Sequence, residues 1–521
     1  MTATPTTERR PTRGAKGSSQ RDTVLGIDLG TSSVKVVLTT AGAQVLAQSS
    51  ESYRVDTPHP GWAESDPRDW RRAIIAAVRE VVAKANTPTI VGIGLSGQMH
   101  GVTVTDALYR PLRAAILWAD SRAGDQLGRY TALPAIQLAN LQNPLTPGMA
   151  GPILGWLRQH ESETIERTRW ALQPKDWVRA WMTGQAAAEP SDASATLLYD
   201  IPADTWALDI ASTLGIDPTV LPPLLPSAGA AAGTLTPEAA TQLGLPPETP
   251  VAAGGADTAV AALGTGLTQV GTVQLTIGTG AQVITPVGCV QPASTSSPTP
   301  AAPVTHLYRT ATSRGHYRMA ATLNGGLVLN WVRTLLGASW AELYATAELP
   351  VRPDMPVFLP HLNGERTPYM STGMRGAWLD LAPHHTRADL LRSALEGVAF
   401  SIREALTALE TDVPRPTHLR LAGGGSTAPA WRQMLADALS AELDAVDVPA
   451  ASGRGAAMLG AQGAGLLEEV ALLNALTPKV ETVAQPHAKR TREYQHRFDK
   501  FRDRIDRLRP PHTVAPDLAH S

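Results

Sequence analysis

Two short turns carry the residue types that hold phosphate groups in proteins. Gly30-Thr31-Ser32 separates two apolar, β-prone segments, and Gly278-Thr279-Gly280 does the same far downstream. A tight hairpin of glycine, threonine and serine points backbone N–H groups and hydroxyls into one concavity, which favours binding of a polyanion. Each turn alone is more typical of an ordinary hairpin. The pair, with a carboxylate just before the first turn, favours a function in which two turns grip a phosphate chain.

Two aspartates lie beside glycine-rich segments. Asp28 ends the strand before the first turn, and Asp257 follows Gly254-Gly255 and starts an alanine-rich helix. A carboxylate at the end of a buried strand needs a partner. For Asp28 the partner is either Mg²⁺, which proteins hold with one or two carboxylates plus phosphates, or the aspartate's own turn. Asp257 is either a helix N-cap or a general base in a cleft, and one role does not exclude the other.

Two further features are suited to a nucleotide. Lys35 lies on the second strand, where it either reaches a terminal phosphate as a point charge or is an exposed strand lysine. Gly424 and Gly425 belong to a triple-glycine turn between a strand and a helix. Such a turn lets the backbone approach a flat ligand closely, and a merely flexible turn is the other interpretation.

Two strand ends carry polar groups suited to a sugar. Gln98, Met99 and His100 follow a short buried strand, and strand ends are where α/β domains bind ligands. Trp118 and Asp120 follow another predicted strand, where the indole would stack on a sugar face and the carboxylate would bond hydroxyls. The alternatives are a structural histidine, a core tryptophan, and a surface ion pair between the aspartate and the arginine two residues later.

The elements that must position these groups follow from apolar periodicity and from turn and cap residues. The chain opens with three strands, a helix that starts at Asp66-Pro67, and a fourth strand, an order that predicts an α/β domain. The predicted strands are 23–29, 33–40, 43–53, 90–95, 249–252, 272–277, 282–285 and 418–421, and the predicted helices include 386–409 and 429–439.

The opening of the chain recurs in its second half. Residues 25–32 and 272–280 both contain an apolar strand followed by a turn of glycine, threonine and a small residue, and an apolar strand follows each turn. Aligning the turns places Asp28 opposite Thr276. With the later strand, glycine turn and helix, this repeat predicts a second α/β domain of similar plan. We expect a disordered tail at 1–21, an N-terminal domain at 22–265, a C-terminal domain at 266–485, and a helix with a tail at 486–521.

Composition excludes several classes of protein. Of 521 residues, 43% are hydrophobic and 18% are charged, which is typical of a folded chain. The formal net charge of -2 gives no basic field for nucleic acid or anionic lipid. The single cysteine, Cys289, excludes an intramolecular disulfide and favours a reducing cytosol. No apolar run approaches the roughly 18 residues of a membrane span.

Several familiar catalytic motifs are absent from the sequence. It has no P-loop, no kinase-type glycine-rich loop followed by a strand lysine, no Gly-x-Ser-x-Gly elbow and no His-Glu-x-x-His. The basic, apolar-poor first 21 residues lack the hydrophobic segment of a secretory signal. The phosphate turns and the placed carboxylates are therefore the candidate chemistry.

Together these segments resemble the FGGY carbohydrate kinases of the actin, hexokinase and heat-shock-70 superfamily. Within that family, the segment Gly97-Gln98-Met99-His100-Gly101 is most similar to that of kinases that act on D-xylulose. The resemblance runs from Val24 to about residue 485, and the matching segments come in the family's order: 26–32, 97–101, 115–120, 174–176, 191–193, 254–257, 277–280, 364–368, 395–397, 423–425 and 431–437.

The resemblance implies two actin-like, ribonuclease H-like domains that flank a cleft, with the sugar on the N-terminal domain and ATP mainly on the C-terminal one. It implies ATP-dependent phosphorylation of D-xylulose to D-xylulose 5-phosphate, with ATP and Mg²⁺ as cofactors. By the same resemblance, Asp257 is the general base on the terminal hydroxyl and Asp28 positions Mg²⁺. The other implied contacts are phosphate for Gly30, Thr31, Ser32, Lys35, Gly278, Thr279 and Gly280, adenosine for Gly424 and Gly425, and sugar for Gln98, Met99, His100, Trp118, Asp120 and Thr258.

The base expected from the sequence has an ordinary pKa. Such a carboxylate is a weak base at pH 7. It can still accept the hydroxyl proton, because proton loss comes late in a loose phosphoryl-transfer transition state.

Three positions depart from the pattern expected for the family. Thr258 stands where asparagine is usual beside the base, Ile153 where lysine is usual, and Asp380 where glycine is usual. Because Thr258 borders the sugar, the alternative is a kinase of the same family that acts on another pentulose, a tetrulose or a sugar alcohol. The two retained carboxylates disfavour a non-catalytic sugar-binding regulatory protein. We expect a cytoplasmic enzyme with small-molecule partners and no nucleic acid or membrane partner, with a homodimer as one option for its assembly.

Overall fold

The computed structural model describes residues 22–86, 88–288, 290–292, 303–410 and 414–508. The tail predicted at 1–21, the end of the chain after residue 508, and Cys289 lie outside the described residues.

The first half of the described chain forms a mixed α/β domain. Its strands are β1 (Asp22–Leu29), β2 (Ser33–Thr40), β3 (Val45–Ser52), β4 (Glu64–Ser65), β5 (Thr89–Gly97), β6 (Thr103–Thr105), β7 (Ala115–Ile116), β8 (Trp170–Leu172), β9 (Tyr199–Asp200), β10 (Thr205–Trp206), β11 (Ala231–Thr234), β12 (Pro250–Ala252) and β13 (Gly255–Ala256). Its α-helices are α1 (Pro67–Lys84), α2 (Leu127–Thr131), α3 (Ala135–Leu141), α4 (Ala150–His160), α5 (Ser162–Glu166), α6 (Pro174–Thr183), α7 (Pro190–Ala193), α8 (Leu208–Thr213), α9 (Pro237–Leu243) and α10 (Asp257–Gly264).

The second half has the same mixture. Its strands are β14 (Val273–Ile277), β15 (Ala281–Val287), β16 (His306–Arg309), β17 (His316–Thr322), β18 (Val357–Leu359), β19 (Ala377–Leu379), β20 (His418–Ala422), β21 (Glu442–Val446) and β22 (Val480–Ala484). Its α-helices are α11 (Gly326–Leu335), α12 (Trp340–Ala345), α13 (Arg387–Leu409), α14 (Pro429–Leu439), α15 (Ala451–Gly463), α16 (Glu469–Leu476) and α17 (Ala488–Leu508).

The two main sheets share one strand order. In the first sheet β3, β2 and β1 are antiparallel neighbours, and β5 and β12 continue the sheet in parallel with β1. In the second sheet β17, β15, β14, β20 and β21 follow the same order and the same directions. Asp28 and Thr276 are each the last but one residue of the central strand. The predicted duplication and the predicted two-domain α/β fold are therefore confirmed.

Most of the predicted elements are confirmed to within two residues. The β2 and α14 predictions match the observed bounds, and α1 begins at Pro67 with Asp66 as its N-cap, whose carboxylate accepts from the N–H of Arg68 at 2.9 Å. Thr386 caps α13 in a capping box with Asp389. The strand predicted before Trp118 is reduced to the two residues of β7.

Helix α15 follows the second sheet in sequence but packs on the first. Its residues contact β1, β2 and β5, and α10 lies beside it. Glycines permit this approach: a Cβ at Gly94 on β5 would overlap the carbonyl oxygen of Ala456, and a Cβ at Gly26 on β1 would overlap that of Gly453. The two halves of the molecule are thus joined by backbone-to-backbone packing.

No helix within the described ranges is long and apolar enough to cross a membrane.

We expect Gly94→Ala to lower the free energy of unfolding by ~1–3 kcal/mol or more, because the added methyl group overlaps a carbonyl oxygen of α15. Gly128→Ala is the matched control, since a Cβ there meets nothing within 4 Å and alanine favours the helix. Urea unfolding followed by circular dichroism measures both variants. Equal transition midpoints for the two would contradict the close packing of α15 on β5.

Candidate active site

Asp28 lies directly before the first phosphate turn. It is half-buried near the end of β1, and its carboxylate accepts a hydrogen bond from the Ser96 hydroxyl at 2.9 Å. Lys35 is its cross-strand neighbour on β2. Burial raises the pKa of Asp28, while the Ser96 hydrogen bond and the charge of Lys35 oppose the rise. Sequence reasoning missed Ser96, although a serine beside glycines at a strand end was a signal for a polar site.

Asp257 is the second carboxylate of the site. It is the first residue of α10, whose N-cap is Ala256, so the interpretation of Asp257 as the N-cap is wrong. Its carboxylate accepts hydrogen bonds from the N–H and hydroxyl of Thr258, at 2.6 and 3.1 Å. Burial, and then the charge of Asp28, raise the pKa of Asp257 to about 7. The expectation of an ordinary pKa is therefore wrong, and the carboxylate is a stronger base suited to neutral pH.

The end of one strand brings the two carboxylates together. β1 and β13 both pair in parallel with β5, so that Asp28 lies opposite Ser96 and Ala256 lies opposite Gly97. Parallel strands present their carboxyl ends at one edge of the sheet. Asp28 and Asp257 therefore lie on two sides of the end of β5, close enough for the charge of one to raise the pKa of the other.

The segment after β5 offers polar atoms beside these carboxylates. Gln98 is buried, and neither atom of its side-chain amide has a hydrogen-bond partner in the described part of the chain. His100 has a φ of 77°, and its Nδ1 lies 2.8 Å from the carbonyl oxygen of Ala195. Burial lowers the pKa of His100 to about 4. The ring is therefore neutral, and with the proton on Nδ1 its Nε2 is a hydrogen-bond acceptor. Met99, which stands between them in the sequence, is buried.

Trp118 connects this pocket to the first phosphate turn. Its indole N–H donates to the Thr31 hydroxyl oxygen at 3.0 Å. Because Thr31 uses its oxygen as the acceptor, its own hydroxyl proton is left to donate elsewhere. Ser32 and Lys35 are exposed near this turn, and the Tyr53 hydroxyl donates to the carbonyl oxygen of Gly30.

Asp120 is committed to the fold. It is buried, and its oxygens accept from the N–H of Ala63 at 2.6 Å and from the Arg122 guanidinium at 2.7 and 2.9 Å. The guanidinium carbon of Arg122 lies 3.5 Å from the centre of the Trp62 ring. This geometry favours the ion-pair interpretation over a sugar contact, and the pair is buried where a surface pair was expected.

The second phosphate turn is held by the start of α11. The carbonyl oxygens of Gly278 and Thr279 accept hydrogen bonds from the backbone N–H groups of residues 325–327, at 2.9 to 3.1 Å. Gly278 and Thr279 are exposed, and Gly280 packs so closely on β17 that a Cβ would overlap the carbonyl oxygen of Thr322. The turn is thereby rigid and open to solvent on its outer side.

A cavity of about 980 Å³ lies between the two domains, next to Asp28. Gly424 lines it, whereas Gly425 packs against β14, where a Cβ would lie 2.6 Å from the carbonyl oxygen of Ile277. The other lining residues come from both halves of the chain: Lys35, Ala261, Thr265, Gln274, Thr276, residues 421–423, Ser426, Thr427, Arg432, residues 445–453, Glu481 and Val483. The cavity is large enough for a drug-sized ligand and reaches Asp28 and Lys35 of the first sheet.

A buried charge cluster supports the Asp257 segment from behind. Lys175 Nζ lies 2.6 Å from Asp176 and 3.3 Å from both Glu189 and Asp192. Ser191 donates to Glu189 at 2.8 Å and accepts from the N–H of Ala256 at 3.0 Å. The cluster therefore positions the residue before Asp257. Sequence reasoning gave these residues no role, although segments 174–176 and 191–193 belong to the family resemblance.

Two of the unusual positions have plain structural explanations. Asp380 has a φ of 60°, a conformation that favours glycine and that aspartate tolerates. It gains ion pairs with Lys500 at 2.9 Å and Arg504 at 3.1 Å on α17. Ile153 is buried in the apolar core of the N-terminal half, where an apolar side chain packs without needing a charged partner.

Sequence comparison identifies both halves of the chain. The N-terminal domain of the FGGY family of carbohydrate kinases matches residues 23–264, and the C-terminal domain of that family matches residues 274–464. The xylulose kinase of Bacillus subtilis (strain 168) is 32% identical over 487 residues, covering 92% of this chain and 96% of that protein. The xylulose kinase of Escherichia coli (strain K12) is 33% identical over 495 residues, covering 93% and 99%.

A solved structure is similar to this chain over most of its length. A crystal structure from Brucella ovis, described as a "xyloylose kinase", has a TM-score of 0.85 and 32% identity over 93% of this chain and 99% of that one. The chain therefore belongs to the FGGY family of carbohydrate kinases, and it is a sugar kinase with the actin-like two-domain fold that uses ATP.

Proposed function

We propose that this kinase transfers the γ-phosphoryl group of ATP to the terminal hydroxyl of D-xylulose, giving D-xylulose 5-phosphate. The observation that carries the proposal is the pair of carboxylates at the end of β5, where the charge of Asp28 and burial raise the pKa of Asp257 to about 7. The names of the two 32–33% identical relatives support the choice of sugar.

In the proposed reaction Asp257 accepts the proton of the attacking hydroxyl. A base works best when its pKa lies near the working pH, and the raised pKa of Asp257 meets that condition. Gln98 and Nε2 of His100 hold the sugar, and Thr31, Lys35 and Thr279 hold phosphates from opposite sides of the cleft. Phosphoryl transfer needs mainly positioning and charge neutralisation, which these residues of the two domains provide.

Asp28 is the proposed position for Mg²⁺. The donor set fits a hard cation: one half-buried carboxylate faces the nucleotide cavity, and its charge and that of Asp257 repel each other. Mg²⁺ bound with ATP would neutralise phosphate charge. The Ser96 hydrogen bond holds the Asp28 carboxylate in place.

The proposed function also assigns roles to the two domains and a compartment to the enzyme. We propose residues 22–265 as the sugar-binding and base-bearing domain, residues 266–485 as the ATP-binding domain, and the cytoplasm as the compartment, where ATP is supplied. A different pentulose, a tetrulose or a sugar alcohol is the second candidate substrate, because Thr258 stands beside Asp257.

A sugar panel tests the proposed function. We expect ADP release with Mg²⁺-ATP to show the highest kcat/KM for D-xylulose. The panel also contains D-ribulose, L-ribulose, L-xylulose, D-fructose, glycerol, xylitol and D-arabinitol. Preference for another member would keep the kinase and its mechanism but move the specificity to that sugar, and the absence of turnover with all of them would reject the proposal.

Asp257→Asn should lower kcat by ~10²–10⁴-fold, because the amide cannot accept the hydroxyl proton. ATP binding, measured by calorimetry, should stay within about twofold, since the residue lies on the sugar side of the site. The control is Asp125→Asn, which changes a carboxylate near the surface of the N-terminal half. Normal turnover by Asp257→Asn would remove Asp257 from the role of base.

The pH dependence of kcat/KM should show the titration of Asp257. Asp257 is active only when deprotonated, so kcat/KM should fall as the pH decreases through about 7. The Thr258 hydrogen bonds hold the pKa of Asp257 down against burial. Thr258→Val removes the hydroxyl and keeps the shape, so it should move this acid limb to higher pH, and Thr258→Ser should leave it near the original position. An unchanged limb in Thr258→Val would exclude Asp257 as the titrating group.

A further inference from the structure

Arg366 is a cation of the C-terminal half that faces the sugar pocket of the N-terminal half. It is half-buried, and its guanidinium carbon lies 5.4 Å from the centre of the Trp118 ring. With burial as the larger cause, its charge also lowers the pKa of His100. Burial lowers the pKa of Arg366 itself. The side chain therefore lies beside the predicted sugar contacts.

The guanidinium makes no hydrogen bond or ion pair with any residue in the described ranges. Its neighbour Glu365 is fully occupied: the carboxylate accepts from the N–H groups of Leu323 and Arg366 at 2.7 and 2.8 Å, from Asn324 at 3.0 Å and from Ser401 at 3.2 Å. These bonds fasten the loop to β17 and α13. Arg366 is therefore a half-buried cation on a rigid loop, and its five N–H donors are free. Burying such a group costs folding free energy unless a ligand accepts hydrogen bonds from those donors.

Arg366 lies among the aromatic and imidazole side chains of this pocket. Its guanidinium carbon is 5.4 Å from the centre of the Trp118 ring, and the ring of Tyr308 is 5.9 Å from that of His100. Beside the larger effect of burial, the charge of Arg366 lowers the pKa of His100, His306 and Tyr308. The donors therefore face the predicted sugar contacts.

We propose that Arg366 binds the carbonyl oxygen of the ketose substrate, at the end of the sugar remote from the phosphorylated hydroxyl, and so makes the enzyme select a ketose over the corresponding alditol. The inference rests on the proposed function. A guanidinium donates along fixed directions in one plane, which suits a carbonyl oxygen and a neighbouring hydroxyl oxygen together. Because Arg366 comes from the opposite half of the molecule to Gln98 and His100, the bound sugar is held from both sides of the cleft.

The test compares D-xylulose with xylitol, which lacks the carbonyl group. In Arg366→Met, kcat/KM for D-xylulose should fall roughly 10- to 100-fold, the range expected for a lost charged hydrogen bond. The loss should appear in KM for the sugar, and KM for ATP should stay within about twofold. The value of kcat/KM for xylitol should fall clearly less than that for D-xylulose, because xylitol keeps the hydroxyl contact and lacks only the carbonyl oxygen. Arg366→Lys should recover part of the preference. Arg375→Met, which removes an exposed arginine that bonds only backbone carbonyls, is the matched control.

Three results would overturn the inference. Equal losses for D-xylulose and xylitol would mean that Arg366 acts on the phosphoryl group or on domain closure. Unchanged kinetics in Arg366→Met would mean that the Arg366 guanidinium is a solvated cation that does not contact the sugar. Equal use of the two acceptors by the unaltered enzyme would show that no carbonyl contact selects the substrate, while leaving the kinase function intact.

A binding measurement separates this inference from the proposed function. Calorimetry with D-xylulose and with xylitol needs no turnover, so it reports the Arg366 contact even if the sugar panel gives no ADP. Tighter binding of D-xylulose than of xylitol, lost in Arg366→Met, would support the contact. Equal affinities for the two ligands would reject it.

Discussion

The close packing of α15 and α10 on β1 and β5 is the constraint on which the rest of the molecule depends. Glycines at Gly26 and Gly94 let the backbone of α15 touch the backbone of the N-terminal sheet. Helix α10 starts at Asp257, and α15 starts at the wall of the cavity between the two domains. The two helices touch, since a Cβ at Gly264 would overlap the carbonyl oxygen of Ala451. The candidate base and the cavity are therefore fixed relative to each other by packing that includes these close backbone contacts.

The electrostatics at the end of β5 sets the pKa of the candidate base. Two carboxylates share a partly dry site, and the result is a pKa of about 7 for Asp257. A structural cluster behind them, in which Lys175 faces three buried carboxylates, holds Ala256 through Ser191. Buried charge of this kind is tolerated where partners are complete. On the opposite wall, the guanidinium of Arg366 has no such partner among the residues that the structure describes.

The duplication gives the two walls of the cleft the same strand order but different residues. Both sheets present a glycine–threonine turn after their central strand, but the N-terminal one has Asp28 where the C-terminal one has Thr276. At this position, therefore, only the first sheet places a carboxylate beside its turn. The second contributes a neutral turn held by α11, glycines beside the cavity, and the loop fastened by Glu365.

The sequence by itself determined eight strands of the two main sheets, the helices α1, α13 and α14, the repeat, and the residue types at both turns. These are local properties: the period of apolar residues, the caps at Asp66 and Thr386, and glycines at the turns. It predicted a family resemblance that the comparisons confirm. It did not determine the pKa of Asp257 or the burial of Asp120, because both depend on groups distant in the chain. Only the tertiary structure decided that α15 packs on the first sheet and that Arg366 faces Trp118, since such contacts leave no periodic or local signal.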